Sequence, residues 1–257
     1  MKPCVVMAVV VTLASSVSAD AQTRPPARPV ARPRPALTER VFVSVNGVFQ
    51  VGSNDFRDST TIRENAENGQ FATDYTVGSG PAFDVSGGAV VWRNLVVGVG
   101  VTRFSHSTTT AVSASVPHPF FFSQPRTVTG EFSGTRQELA VHVQIRGVVP
   151  VNRRVQVSFF GGPSFFQIKQ SIVDDFEFAE SYPFDTATFS RALSSTQSES
   201  KVGLNVGGDV AYFFGPRVGL GFSAQYSGAT VRMAVPSGNI DVKAGGGQIG
   251  GGLRLRF

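Results

Sequence analysis

One cysteine occurs in 257 residues, and it is Cys4, just ahead of the first apolar run. Once a leader containing it is removed, no thiol remains, which excludes disulfides, thiolate metal ligands and a cysteine nucleophile. Long hydrophobic runs are also lacking. The apolar stretch at residues 5–13 falls well short of the roughly 20 residues that a membrane-spanning helix needs, and later apolar stretches are broken by charges or regularly spaced polar residues. Any membrane span must therefore be built of strands. Charge is sparse at 16% of residues, and the net +5 is unevenly placed. Arg24, Arg28, Arg32, Arg34 and Arg40 against Glu39 put +4 on residues 22–40, residues 1–21 cancel, and 41–257 carry the remaining +1. A nearly neutral body gives no reason to expect a nucleic-acid partner. The three histidines, His106, His118 and His142, show no zinc-site spacing, which needs three or four converging ligands, so no metal or cofactor is expected.

What is present begins with an export address. Lys2, the apolar run and the small-x-small triplet Ala19-Asp20-Ala21 read as a signal peptide over 1–21, with a cut after Ala19 as the alternative. Residues 22–38 follow as a Pro/Arg-rich linker. Proline fixes φ and removes donors, so this arm favours an extended polyproline form and cannot pack a core.

From Val41 the hydrophobic period is two, and it returns after every interruption. Leu139, Val141, Val143 and Ile145 alternate with Glu138, Ala140, His142, Gln144 and Arg146, the clearest case. Similar runs begin near residues 41, 83, 95, 155, 202, 218 and 249, giving eight strands. Their connections alternate: short at 93–94, 148–154 and 215–217, long at 52–80, 105–130 and 174–199, with a short fourth loop at 235–239. One face is almost purely Val, Leu, Ile and Phe. The other is Gly, Ser, Gln and Asn with a few charges of mixed sign: Asp84, Glu138, Arg146, Lys201, Asp209, Arg254 and Arg256. Charges of this kind are tolerated only inside a barrel whose apolar face meets lipid. The expected fold is all-β, an eight-stranded antiparallel transmembrane β-barrel over 39–257 preceded by a disordered arm. Eight strands leave an interior that side chains fill. A lumen charge cluster of Glu138, Arg146, Asp209, Arg254 and Arg256 is therefore expected to plug it. Asp209 should engage Arg254 or Arg256, and Glu138 should meet Arg146 or a donor higher up.

The stretch Gly251-Gly252-Leu253-Arg254-Leu255-Arg256-Phe257 resembles the closing strand of bacterial outer-membrane proteins. Phe160-Gly161-Gly162-Pro163-Ser164-Phe165-Phe166 and Tyr182-Pro183-Phe184-Asp185-Thr186-Ala187-Thr188-Phe189 are similar to a subgroup of the same small-barrel superfamily. That superfamily includes "porin family" proteins and the transmembrane domain of outer-membrane protein A. The resemblance implies residence in the outer membrane among its lipids and lipopolysaccharide, with both termini periplasmic and the long loops extracellular. It also implies that Leu253, Leu255 and Phe257 form a signal read by the barrel-assembly machinery.

Chemistry is thinly marked. His142 points inward by parity, whereas lipid-modifying barrels of this kind carry a Ser/His pair facing lipid, so an enzyme is not expected. Asp174, Asp175, Glu177, Glu180 and Asp185 make one long loop acidic, either as a solvated surface or as a cation-holding one. Phe120, Phe121 and Phe122 stand together in another loop, either packed on the rim or forming a surface contact for an unknown ligand. The expected role is structural or surface-interacting and non-enzymatic. The alternative is a low-conductance pore for small solutes, followed by a lipid-modifying enzyme.

Overall fold

A computed structural model describes residues 39–52 and 54–257. The expectations of a signal peptide over 1–21 and a linker over 22–38 lie outside the described residues. Ten strands follow one another: β1 (Val41–Val51), β2 (Phe56–Glu64), β3 (Glu67–Thr76), β4 (Gly80–Trp92), β5 (Leu95–Val116), β6 (Arg126–Pro150), β7 (Val155–Glu180), β8 (Ala187–Phe213), β9 (Val218–Val235) and β10 (Gly238–Arg256). Eight of them close into an antiparallel ring, β1-β4-β5-β6-β7-β8-β9-β10 and back to β1. The closing seam pairs Phe42 with Arg256 and Val51 with Gly247.

The long connections differ from the expectation of loops. Residues 52–80 contain the β2–β3 hairpin, turning at Asn65-Ala66 with φ of 50° and 67° and lying along the far end of β5. Most of 105–130 and 174–199 is strand as well. β5 runs on to Val116, β6 starts at Arg126, and β7 and β8 continue to a turn at 181–186. His106 is therefore on a strand rather than in a loop.

These extensions are hidden in the sequence because the polarity of the wall reverses along the long strands that carry them. In the half near the short turns, outward Ile145 is 58% exposed, Phe159 65% and Leu204 70%, while inward His142 and Ser164 are fully buried. A soluble protein could not leave such a surface uncovered. Towards the long-turn end, the outward positions become Ser105, Ser107 and Thr109 on β5 and Thr129, Ser133 and Thr135 on β6. There many of the inward positions turn apolar. Phe71, Val112, Val116, Val128, Val173 and Phe176 form one core, and Phe166, Ile168, Val231 and Met233 belong to another. The long strands β5 to β8 thus satisfy hydrocarbon outside in one half and water outside in the other, whereas the shorter β1 and β4 end within the apolar band. Phe49, Phe83, Phe165 and Tyr226 stand near the upper edge of the apolar band, and Trp92, Tyr212, Phe214 and Phe257 near the lower, as in an aromatic girdle.

The ring is not sealed along its full height. β8 pairs with β9 only from Phe213–Gly219 up to Leu204–Gly228. Above that level residues 187–203 of β8 pair with β7 alone, and the β9–β10 tip leans inward so that Val231 and Met233 reach Phe166 and Ile168. The bend needs Gly245, at φ +77°, where an added Cβ would lie 2.3 Å from the Ser227 carbonyl oxygen. This opening also explains Lys201. By parity it belongs to the lumen set, yet it is exposed, because the β8 wall no longer faces a partner strand there.

Candidate functional site

The lower lumen is filled by a chain of polar side chains passing through seven of the eight ring strands. Arg254 on β10 brings Nε to within 3.0 Å of Asp209 Oδ2 on β8, and its Nη2 converges on the same oxygen. Its Nη1 donates to Asn46 Oδ1 on β1, and Asn46 Nδ2 donates to Asp84 Oδ1 on β4 at 2.7 Å. Thr102 on β5 donates to Asp84 Oδ2 at 3.2 Å and meets His142 Nε2 on β6 at 3.1 Å. His142 Nδ1 lies 2.7 Å from Ser164 Oγ on β7, and Asn205 Nδ2 on β8 donates to that hydroxyl at 2.9 Å. Each member comes from an inward position of the period-two pattern. The strand register brings them to one level, so alternation and register together create the belt.

Little space is left beside it. A void of about 10 Å³ lies among Asn46, Asp84, Gln144, Asp209 and Arg254, room for about one water. A second, of about 60 Å³, opens toward the short turns beside Phe42, Arg146, Ser158 and Phe213.

The five charges expected in the lumen are placed in four separate settings. Asp209 and Arg254 are joined, and their side chains are only 7% and 5% exposed. Arg256 is not in that group. It sits at the lower rim, 3.3 Å from Glu39, donating to the Pro216 carbonyl at 2.8 Å and lying over the Phe213 ring. Glu138 does not meet Arg146. The two are eight positions apart on β6, about 26 Å at strand rise, beyond the reach of any side chain. Arg136 takes the carboxylate at 2.6 Å instead, two positions along the same inward face. Arg146 donates to Ser158 Oγ at 3.2 Å, and its guanidinium lies between the rings of Phe42 and Phe160, 4.8 and 4.5 Å from their centroids. Cation–π contact on both faces replaces a carboxylate there.

Glu138 and Arg136 form an upper latch. The Gly245 backbone N–H donates to Glu138 Oε2 at 2.9 Å, and Arg136 donates to the Lys243 carbonyl. Both bonds fasten the inward-leaning β9–β10 tip to β6. Arg136 is fully buried, and reading the β6 alternation two residues further would have found it.

The turn tips carry the exposed aromatics. Phe120, Phe121 and Phe122 are 67%, 54% and 74% exposed. They are held rather than loose. His118 Nδ1 accepts the backbone N–H groups of Phe120 and Phe121 at 3.1 and 3.2 Å, and the Phe120 ring meets Phe184 edge-on at 5.5 Å. Arg126 braces the two tips, donating to Glu180, to the Phe184 carbonyl and to the Pro117 carbonyl. The acidic segment spends two carboxylates on arginines, Glu180 on Arg126 and Glu177 on Arg191 at 2.7 Å. The Arg191 hydrogen bonds hold the Glu177 carboxyl below the usual carboxylate range. Among the described residues no group of three or more metal-binding side chains lies together. Nearby, burial pushes the Tyr75 hydroxyl above its ordinary value, and that hydroxyl accepts the Val173 N–H at 2.8 Å.

Leu253 and Leu255 lie on the outer face of β10, opposite Val45 and Val43. The Phe257 carbonyl accepts from the backbone N–H groups of Arg40 and Val41, and its N–H donates to the Val41 carbonyl.

No protein-family model matches the chain, and no curated protein matches it. Among solved structures it is similar to Neisserial surface protein A, at 12% identity and a TM-score of 0.44 over 84% of this chain and 97% of that one. It is also similar to the outer membrane protein OprG from Pseudomonas aeruginosa, at 11% and 0.49 over 85% and 96%. A third is Ail of Yersinia pestis, solved with the heparin analogue sucrose octasulfate, at 13% and 0.39 over 85% and 100%. Closure of eight antiparallel strands with an apolar outside and a polar inside makes the chain an eight-stranded β-barrel of the transmembrane type.

Proposed function

We propose that the protein is an integral outer-membrane barrel with no catalytic step, which holds a closed wall in the membrane and presents a rigid, aromatic-tipped extension at the cell surface. The observation that carries this reading is the belt from Asp209 to Asn205, which fills the lumen within the apolar band and leaves only small voids. The non-enzymatic part rests on the burial of Ser164 and His142, whose hydrogen-bonded pair is sealed from both lipid and water. In this reading the short turns are periplasmic, the upper half stands outside the cell, and outer-membrane lipid and lipopolysaccharide surround the wall. The test is planar-bilayer conductance of the refolded protein. No unitary steps are expected, and steady steps from the wild type would overturn the closed-lumen reading in favour of a small-solute pore.

The same reading assigns Leu253, Leu255 and Phe257 to recognition by the barrel-assembly machinery. Deleting Phe257 is expected to leave most refolding in detergent intact, since only seam-end hydrogen bonds are lost. In cells it should abolish most accumulation in the outer membrane. Equal losses in both settings would show that Phe257 acts through packing alone.

A further inference from the structure

The outer wall where the polarity reverses carries a feature that neither lumen nor tips explain. A groove of about 710 Å³ crosses β6, β7 and β8, lined by Lys201 and Phe166 together with outward residues that include Leu139, Phe165, Gln167 and Val202, and Arg103 and Lys169 lie beside it on the register of the same strands. Residues paired in register share a face, so its walls can be read rung by rung. The lower rung is Val101–Val141–Phe165–Val202, apolar throughout. The next is Arg103–Leu139–Gln167–Ser200, and the one above it Ser105–Gln137–Lys169–Ser198. Within two rungs the surface changes from hydrocarbon to amide, hydroxyl and cation.

Lys201, which lines the groove, and the flanking Arg103 and Lys169 are all exposed, and among the described residues none of the three takes part in an ion pair. Glu199, opposite Ile168 on the adjoining rung, is the nearest carboxylate along β8. Arg103 and Lys169 are two strands apart, about 10 Å across the sheet, and one rung apart along it. Gln137, Gln167 and Ser198 lie between or beside them.

We infer that this groove docks a lipid with a phosphorylated sugar headgroup. Its acyl chains lie against Val101, Val141, Phe165 and Val202. Its phosphates meet Arg103 and Lys169, and its sugar hydroxyls meet the amides and hydroxyls between. A single-phosphate glycerolipid would use one cation and leave that polar stretch unengaged. The inference rests on the proposed membrane orientation, in which this rung faces the outer leaflet.

The test uses the full mature chain refolded in a neutral detergent, titrated with lipid A and followed by native mass spectrometry. Phosphatidylglycerol and inorganic phosphate serve as separate arms. One saturable lipid A should bind. Each cation near an anionic lipid surface contributes about fivefold, so Arg103→Gln with Lys169→Gln should weaken binding about thirtyfold. The heat-modifiable gel shift should persist in that double variant, showing that the barrel is intact. Arg93→Gln with Arg217→Gln, at the opposite end of the ring, should leave lipid A binding unchanged. Equal binding of phosphatidylglycerol, or displacement by inorganic phosphate at matched concentration, would overturn the sugar-phosphate assignment. If the protein inserts into phosphatidylcholine vesicles yet the double variant binds lipid A like wild type, the groove inference fails and the barrel reading stands. If the protein does not insert, both fail.

Discussion

Asp209→Ala is expected to lower the unfolding free energy of the refolded barrel by about 3–5 kcal/mol, the range for breaking a buried ion pair by removing one partner. The reason is the residue left behind. Arg254 has a side chain only 5% exposed, and Asp209 is the one carboxylate its guanidinium touches. Without it, Asn46 Oδ1 and the Leu253 carbonyl remain as acceptors, and neither carries charge. Asn46 in turn orients Asp84, so the loss spreads along the belt rather than staying at one bond. A denaturant titration monitored by tryptophan fluorescence measures the effect. The diagnostic comparison is Asp209→Ala combined with Arg254→Met, which removes both charges and should recover most of the loss. An unchanged midpoint for Asp209→Ala alone would mean that Arg254 reaches water, and the closed-lumen proposal would fall with it.

Gly252→Ala is expected to prevent closure, with a cost of about 3 kcal/mol or more and loss of the heat-modifiable compact form. Gly252 sits on β10 opposite Asn46, at the seam where the last ring strand meets the first. A Cβ there would stand 1.8 Å from the Val45 carbonyl oxygen and 2.7 Å from Asn46 Cα. Backbone must yield, and β1 cannot, because its other edge is bonded to β4 along its length. The control is Gly47→Ala, on the same seam, where an added Cβ meets nothing within 4 Å. If both variants refold alike, tight backbone approach at the seam is not what glycine provides.

How far the sequence could be read depended on which half of each strand was in view. Where outward Val, Leu and Phe alternate with polar residues, as from Leu139 to Ile145, the strand and its facing were legible, although β6 continues to Pro150 through residues that read as a connection. In the upper half the outward residues are Ser and Thr and several inward ones are small, as in Ser107-Thr108-Thr109-Thr110-Ala111, so the contrast that marks a strand is lost. The β2 strand Phe56–Glu64 is mostly polar on both faces and gave no alternation at all. At the site, Asp209 meeting Arg254 followed from their positions near the short-turn ends of their strands. The partners of Glu138 and Arg146 needed register and distance. Arg136 stands one inward position beyond Glu138, before the apolar alternation begins, and the aromatic partner of a buried arginine leaves no pattern in sequence. Lys201 was assigned by a parity that assumes a closed wall, and the wall is open above Leu204.

The apolar band has a consequence for where the protein can reside. On β6 it runs outward from Leu139 to Val149, a rise of about 25 Å once strand tilt is taken into account. A helix can tilt to absorb excess thickness, but a ring cross-bonded on every side has no such freedom. Hydrophobic mismatch would then fall on the lipid, which must thin or stretch around a fixed height. In a bilayer several ångströms thicker, Gln137 and Gln167 would be drawn into hydrocarbon along with Arg103, and the barrel would be excluded or clustered. The reversal of polarity therefore acts as a gauge, matching this chain to a thin membrane before any partner is met.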